Sequence, residues 1–251
     1  ILTADRGDIT LTRSQTQSGG DLIGNAGQDI NLDDSVADAS SDLTLGAGGS
    51  ITLTDTSGDG DTVGSTITAQ AGDLSLTAGD SIALDSASHG IGYGDVTANA
   101  EQGALTVIDS SLLYAETGSM DLDAGNAVSF TDSSATAATS MTVDAANAGI
   151  ALNNSQATAG TDLSLDASTD ITLTDSEATD TTGSTLLAQA GDLSLKAGND
   201  IALDSASSGV AHGDVTANAE AGDLTVIEQS SLTAQTGKMD LDAGSRVGVT
   251  D

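Results

Sequence analysis

Apolar and small polar residues alternate along the whole chain in short segments, and residues 72–86 show the pattern most clearly. This segment reads Gly-Asp-Leu-Ser-Leu-Thr-Ala-Gly-Asp-Ser-Ile-Ala-Leu-Asp-Ser. Leu74 and Leu76 form one spaced apolar pair, and Ile82 and Leu84 form the next. Because successive side chains of a strand point to opposite faces, each pair predicts a short strand with one apolar face. The Ala-Gly-Asp-Ser between the pairs is typical of a turn.

The same unit recurs eleven times, usually every 21 to 24 residues. A third, weaker strand follows the second pair in many units and has the pattern apolar-x-Ala, as in Ile67-Thr68-Ala69. The second apolar pair of each unit lies at Ile9/Leu11, Ile30/Leu32, Ile51/Leu53, Ile82/Leu84, Leu105/Val107, Val128/Phe130, Ile150/Leu152, Ile171/Leu173, Ile201/Leu203, Leu224/Val226 and Val247/Val249. Three short strands per unit predict a three-sided coil.

A strand with two inward residues is unstable alone, but stacked coils pair each strand with its neighbours and join the inward residues into one core. The pattern therefore predicts an all-β protein, a parallel β-helix or three-sided solenoid of about eleven coils. Proline, which cannot donate to a strand ladder, is absent. We expect a single β-helix over residues 1–251, and we interpret it as a segment of a longer shaft.

A longer period is superimposed on the short one. Residues 69–132 match residues 188–251 at a constant offset of 119, which predicts super-repeats of five coils at about 22–140 and 141–251. At residues 55–66 and 175–185 the unit lengthens to 31 and 30 residues, so we expect two loops that protrude from the same corner. Residues 88–94 and 207–213 are expected to form a second, smaller irregularity.

Charge excludes several classes of partner. The chain has 38 acidic and 5 basic residues, a net charge of −33. There is no basic surface to displace phosphate counterions, so we expect no nucleic-acid partner. No apolar run approaches the length of a membrane span, so we expect no membrane insertion. The chain has no cysteine, so disulfides and thiol chemistry are excluded.

The recurring Gly-Asp-Leu-x-Leu-x-Ala-Gly-x-x-Ile-x-Leu, at 72–84 and again at 191–203, resembles the repeat of filamentous-haemagglutinin-type exoproteins. These are large adhesins that bacteria export by two-partner secretion. The resemblance covers essentially the whole chain. It implies a right-handed, monomeric β-helical shaft at the bacterial cell surface or secreted. It also implies a transporter in the outer membrane during export, a role in adhesion or biofilm matrix, and contact with extracellular polysaccharide or neighbouring cells.

Three alternatives remain open at this stage. The shaft is the stem of a contact-dependent toxin delivery protein, or a calcium-stabilised surface or matrix protein, or the scaffold of a polysaccharide-degrading enzyme. An enzyme needs a clustered acid pair or a basic residue in a cleft. The five basic residues are scattered, and His89 and His212 do not superpose at the 119-residue offset. We therefore expect no catalytic residues and no enzyme activity.

Three groups of residues are candidate binding sites. Arg6-Gly7-Asp8 spells a tripeptide that integrin-binding adhesins display, although glycine and aspartate also suit the turn in which it falls. Tyr93 and Tyr114 are candidate platforms for stacking on sugar rings.

The third group is a candidate calcium site. Asp55, Asp59 and Asp61 cluster carboxylates as a hard cation requires, and calcium is the one cofactor considered. The matching segment five coils later retains fewer acids. Diffuse binding of counterions to a solvated acidic face explains the same pattern without a specific site.

Overall fold

The computed structural model describes residues 1–56, 64–175 and 183–250, and in these ranges the chain forms 32 short strands and no helix. No helix in the described part of the chain is therefore long and apolar enough to cross a membrane. The strands repeat in threes. Each group of three makes one coil, so the chain forms ten complete coils and the first two strands of an eleventh.

The strands assemble into three parallel sheets, one for each side of the coil. The first sheet contains β1 (Leu2–Ala4), β4 (Leu22–Ala26), β7 (Leu43–Ala47), β10 (Leu74–Ala78), β13 (Val96–Ala100), β16 (Met120–Ala124), β19 (Met141–Ala145), β22 (Leu163–Ala167), β25 (Leu193–Ala197), β28 (Val215–Ala219) and β31 (Met239–Ala243). The second contains β2 (Ile9–Thr12), β5 (Ile30–Asp33), β8 (Ile51–Thr54), β11 (Ile82–Leu84), β14 (Leu105–Ile108), β17 (Val128–Thr131), β20 (Ile150–Asn153), β23 (Ile171–Thr174), β26 (Ile201–Leu203), β29 (Leu224–Val226) and β32 (Val247–Val249). The third contains β3 (Gln15–Ser18), β6 (Val36–Ala39), β9 (Thr66–Ala69), β12 (His89–Gly92), β15 (Leu112–Ala115), β18 (Ser134–Ala137), β21 (Gln156–Ala159), β24 (Thr185–Ala188), β27 (Ser208–Ala211) and β30 (Ser231–Ala234).

The predicted three-sided parallel β-helix is confirmed. Each strand pairs with the strand three places before it and the strand three places after it, so like residues stack on like. In β10, for example, Leu74 is in register with Leu43 on one side and Val96 on the other. At a spacing of about 4.8 Å per coil, the stack is a rod on the order of 50 Å long.

The core is a set of apolar columns along the axis of the rod. A first-sheet strand such as β10 buries three side chains, Leu74, Leu76 and Ala78, each 0% exposed, and strands of the other two sheets bury two. The largest buried side chain is Phe130. Most strands alternate buried and outward-facing residues. The outward residues are largely polar on the first two sheets, whereas the third sheet also turns apolar side chains outward, such as Ile91 and Leu187.

A column of serines stabilises the corner between the second and third sheets. The backbone N–H of Ser35 donates to Oγ of Ser65 (3.1 Å), and Ser65 donates in the same way to Ser88 (3.1 Å). We call this column the serine ladder; its buried members are Ser35, Ser65, Ser88, Ser111, Ser133, Ser155, Ser184 and Ser207. No buried side-chain nitrogen or oxygen in the described part of the chain lacks a hydrogen-bond partner.

The same corner has two lengths. In some coils the ladder serine lies five residues after the first residue of the second-sheet strand, as Ser35 follows Ile30, and one corner residue has positive φ. In others it lies six residues after, as Ser88 follows Ile82, and two residues have positive φ. The short-corner residues are Arg13, Asp34, Asp132 and Asn154; the long-corner pairs are Ser86/Ala87, Asp109/Ser110, Ser205/Ala206 and Glu228/Gln229.

Aspartates perform a matching role at the corner that precedes the first sheet. Asp42 Oδ1 accepts the N–H of Asp73 (3.0 Å), Asp73 accepts that of Asp95 (2.8 Å), and Asp95 accepts that of Ser119 (2.7 Å). A hydrogen bond from a backbone N–H to an ionised carboxylate is stronger than one between two neutral groups. Many of the abundant acids therefore tie one coil to the next.

Two details of the sequence prediction need correction. The loops expected at 55–66 and 175–185 are shorter, because Thr66 and Thr185 are the first residues of β9 and β24. The centres of both loops, residues 57–63 and 176–182, lie outside the described residues. The irregularity expected at 88–94 and 207–213 is wrong: these segments contain β12 and β27, which pair in register with the strands on both sides.

Candidate functional site

The tripeptide Arg6-Gly7-Asp8 lies in the turn between β1 and β2. The side chains of Arg6 and Asp8 are exposed and Gly7 is half-buried. Two of the three residues also accept hydrogen bonds from the next coil. The Gly7 carbonyl accepts the N–H of Gln28 (3.2 Å), and Asp8 Oδ1 accepts the N–H of Asp29 (3.1 Å). The tripeptide therefore forms a coil corner that is reachable by solvent and fixed by its neighbour.

Only one residue of the candidate calcium site can be located. Asp55 follows β8 directly, whereas Asp59 and Asp61 lie outside the described residues. Over residues 1–56, 64–175 and 183–250 no group of three or more histidine, cysteine, aspartate or glutamate side chains is arranged to hold a metal ion. The calcium hypothesis thus stays a prediction for the part of the chain beyond Thr56.

The start of that segment is anchored by Asp33. Its Oδ1 accepts the N–H of Thr56 and its Oδ2 accepts the Thr56 hydroxyl, both at 2.7 Å. These two hydrogen bonds lower the pKa of Asp33 below its ordinary value, because they favour the ionised carboxylate. The carboxylate therefore holds the base of the insertion in place at neutral pH.

A charged column runs along the outer face of the first sheet. Asp123, Asp144, Asp166 and Lys196 are in register in four successive coils. Lys196 Nζ lies 3.0 Å from Asp166 Oδ2 and 3.8 Å from Glu220 Oε1. A groove with a volume of about 300 Å³ runs beside these side chains.

The pKa values of three residues in this column are raised above their ordinary values. Burial, then the charges of Asp121 and Asp144, raise the pKa of Asp123. Burial and the charge of Asp166 raise the pKa of Asp144, and Lys196 partly opposes this rise. The hydrogen bond and charge of Asp166 raise the pKa of Lys196. Like charges one coil apart therefore repel, and one lysine relieves part of the repulsion.

The structure brings the two tyrosines to the same side of the rod. Tyr114 lies on the outer face of β15, in register with Ile91 of the preceding coil. Tyr93 comes directly after β12, two residues beyond Ile91, and its side chain is exposed (44%). Tyr114 thus lies on the outer face of the third sheet, and Tyr93 lies at the end of the same side, in the adjacent coil. An accessible pair of this kind can stack against a flat apolar ring.

A polar groove on the same side was not predicted from the sequence. It has a volume of about 420 Å³ and lies where the third sheet meets the serine ladder, over the coils from Ser110 to Thr185. Ser134, Gln156 and Thr185 line it as one outward row, since each is in register with the next. The ladder serines Ser111, Ser133 and Ser155 lie beneath.

No repeated sequence pattern predicts this groove, because the groove arises where the length of the corner changes from one coil to the next. The corner at Asp109/Ser110 has two residues of positive φ, and the next two corners, at Asp132 and Asn154, have one each. The serine ladder breaks at this step: Ser111 N–H donates to the Ile108 carbonyl (3.2 Å) in place of a serine of the next coil. The recess lies over the two short corners, between Ser110 of the long corner and Gly183.

Comparison with known proteins identifies no relatives for this chain. No family model, curated protein or solved structure matches it.

Proposed function

We propose that this chain is a rigid adhesive shaft: a β-helical rod of a secreted or surface-attached bacterial protein that presents polar outer faces to extracellular polysaccharide or neighbouring cells. The observation that carries the proposal is the unbroken pairing of coils. The first and second sheets each run through eleven strands and the third through ten. A rod built this way resists bending because every coil is hydrogen-bonded to the next on all three sides.

The arrangement of the outer faces supports the same role. Outward residues form rows along the rod, as do Ser134, Gln156 and Thr185. The super-repeat places equivalent faces five coils apart, which is on the order of 24 Å. Surfaces repeated at a fixed distance on a stiff support can bind a polymer at several points together, and the combined affinity then exceeds that of one contact.

The chemistry of the surface favours uncharged or cation-rich targets. A net charge of −33 repels anionic surfaces at long range. At physiological salt this repulsion is screened beyond roughly 8 Å, so short-range contacts of neutral polar groups decide what binds. A polysaccharide with many hydroxyl groups fits such a surface.

The proposal is tested by co-sedimentation of the purified chain with insoluble bacterial exopolysaccharide at moderate and high salt. We expect the folded rod to sediment with the matrix at both salt concentrations, because hydrogen bonds and stacking are little affected by screening. The matched control is the same chain after thermal unfolding, which retains its composition and charge.

Absence of the folded rod from the pellet at both salt concentrations would contradict an adhesive role. Equal sedimentation of folded and unfolded chain would contradict it too, because binding would then depend on composition and not on the rod.

A further inference from the structure

The groove between the third sheet and the serine ladder has the dimensions of a ligand site. Its volume of about 420 Å³ lies within the range of roughly 300–1,000 Å³ that is usual for small-ligand sites. It extends over four coils, about 14 Å along the rod. In the described part of the chain, two long corners followed by two short ones occur at this position only.

The lining consists mainly of neutral hydrogen-bonding groups. The outward row supplies the Ser134 hydroxyl, the Gln156 amide and the Thr185 hydroxyl. Gln156 is exposed in the groove, and the other two are half-buried. Such side chains both donate and accept hydrogen bonds, as a hydroxyl-rich ligand requires.

The charged group in the groove discriminates against anions. Among the described residues of the lining, Asp132 is the one ionisable group, and its Oδ1 accepts the Asn154 side-chain amide (2.7 Å). Asp109 and Asp85 follow along the same corner, and burial together with the Asp85 charge raises the pKa of Asp109. A carboxylate or sulfate on the ligand would meet this line of acids at close range, and like charges so placed repel strongly.

The groove continues into the tyrosine face. Tyr114 is in register with Thr136, and Ser134 lies two residues before Thr136 on the same outer face of β18. Tyr93 lies one coil further away, on the same side. A linear ligand that leaves the groove in this direction passes over an aromatic surface, and aromatic rings stack against the apolar faces of sugars.

We propose that this groove, together with Tyr114 and Tyr93, binds a neutral polysaccharide segment. The groove residues hydrogen-bond the sugar hydroxyls and the tyrosines stack on the following rings. The proposal rests on the adhesive function above and gives it one location and one ligand class. Uncharged glycans bind, and uronate-containing or sulfated glycans are rejected.

The super-repeat offers two substitutions that the fold already accommodates. Val36 occupies the position of Gln156 five coils earlier, on β6, and Thr233 occupies the position of Tyr114 five coils later, on β30. Gln156→Val and Tyr114→Thr therefore remove the proposed contacts to the ligand. The residues that they introduce already occur at the equivalent positions of other coils. The matched control is Gln15→Val, which makes the same change at the same strand position on β3, six coils from Gln156.

The experiment is a calorimetric titration with a panel of soluble neutral oligosaccharides (glucans, mannans and galactans) and with alginate oligosaccharides as anionic probes. We expect the wild type to bind at least one neutral series and no alginate. Gln156→Val and Tyr114→Thr are each expected to weaken binding roughly tenfold, the effect of one lost hydrogen bond or stacking contact. Gln15→Val is expected to bind as the wild type does. Circular dichroism melts verify that all variants fold.

Four outcomes overturn the groove assignment: no neutral series binds, alginate binds as tightly as the neutral glycans, binding is unchanged in both groove variants, or Gln15→Val weakens binding as much as the groove variants do. If any of these occurs while the rod still sediments with the exopolysaccharide matrix, the groove proposal fails and the adhesive function stands. If the rod does not sediment either, both fail.

Discussion

At the scale of the residue, Ser88 shows how a small polar side chain holds this rod together. It is 0% exposed, its Oγ accepts the N–H of Ser65 (3.1 Å), and its own N–H donates to Oγ of Ser111 (3.1 Å). At a sharp corner the backbone groups point away from their counterparts in the next coil. The serine therefore satisfies a backbone donor that the sheets cannot reach.

Substitution of Ser88 tests this role. Ser88→Ala leaves the N–H of Ser65 buried without an acceptor, so we expect it to destabilise the rod by about 1–3 kcal/mol. The measurement is the free energy of unfolding by urea. The control is Ser75→Ala on the outer face of β10, which we expect to change stability by less than about 0.5 kcal/mol. Equal effects of the two substitutions would contradict a special role for the corner.

The serine ladder was not predicted from the sequence, and the reason is physical. The hydrophobic pattern has a fixed step of two residues, so Leu74/Leu76 and their equivalents are visible in the sequence alone. The ladder serine lies five residues after the first residue of the second-sheet strand in the case of Ile30 and Ser35, but six residues after it in the case of Ile82 and Ser88. A fixed period cannot align positions whose spacing depends on how many corner residues take positive φ. The groove depends on that same spacing and was missed with it.

At the scale of the element, the second-sheet strands were fully predictable and the third-sheet strands less so. Each second-sheet strand carries two large aliphatic or aromatic residues in every coil, whereas third-sheet strands often bury small residues, such as Gly90 in β12. A side chain at Gly90 would meet a Cδ of Leu113 at 2.8 Å, so the next coil fills that space. The absence of a large residue there reflects tight packing and not irregular structure.

The charged column of the first sheet gives a prediction at this scale. The pKa of Asp144 is raised in the folded rod, so the folded state favours the protonated carboxyl. The stability that this provides is fully present below the pKa of the unfolded chain, near 3.9, and is lost as the pH rises through the pKa of the folded rod. Asp144→Asn should therefore raise the stability at neutral pH, by on the order of 0.5 kcal/mol after solvent screening, and change little near pH 3.

Thermal melts of the variant and the wild type across this pH range measure the difference. Asp242→Asn is the matched control, since it removes an acid from the same row at a position in register with Asn218. A stabilisation by Asp144→Asn that is the same at all pH values would show that charge repulsion is not its cause.

At the scale of the whole molecule, repulsion between the acidic side chains opposes the pairing of the coils. Thirty-eight acids on a narrow rod repel one another, and the coil pairing must overcome this repulsion. The aspartates that accept backbone N–H groups, such as Asp73, offset part of this repulsion because their hydrogen bonds stabilise the folded rod. The rod is therefore stable in spite of its net charge and sensitive to the ions around it.

Salt should accordingly stabilise the rod. We expect the melting midpoint to rise as sodium chloride is increased from low to physiological concentration, because the Debye length falls from about 30 Å at 0.01 M to about 8 Å. Calcium chloride at matched ionic strength, with and without chelator, is the comparison. A rise specific to calcium would favour a site in the insertion that contains Asp59 and Asp61, and a midpoint that falls with sodium chloride would contradict the repulsion argument.

The serine and aspartate ladders also determine how such a protein can change in length. Most of these hydrogen bonds join a residue to its counterpart one coil away, and the corner lengths recur in the same order every five coils. Removal of a five-coil block therefore returns the donors to equivalent acceptors, whereas loss of part of a coil does not. The five-coil super-repeat, with its offset of 119 residues, makes one such exchange especially simple. Unequal recombination between the two copies deletes or adds five coils and leaves both corners matched. Genes for rods of this kind can therefore vary in length by whole blocks, and the distance that the rod spans becomes a heritable quantity that changes in discrete steps.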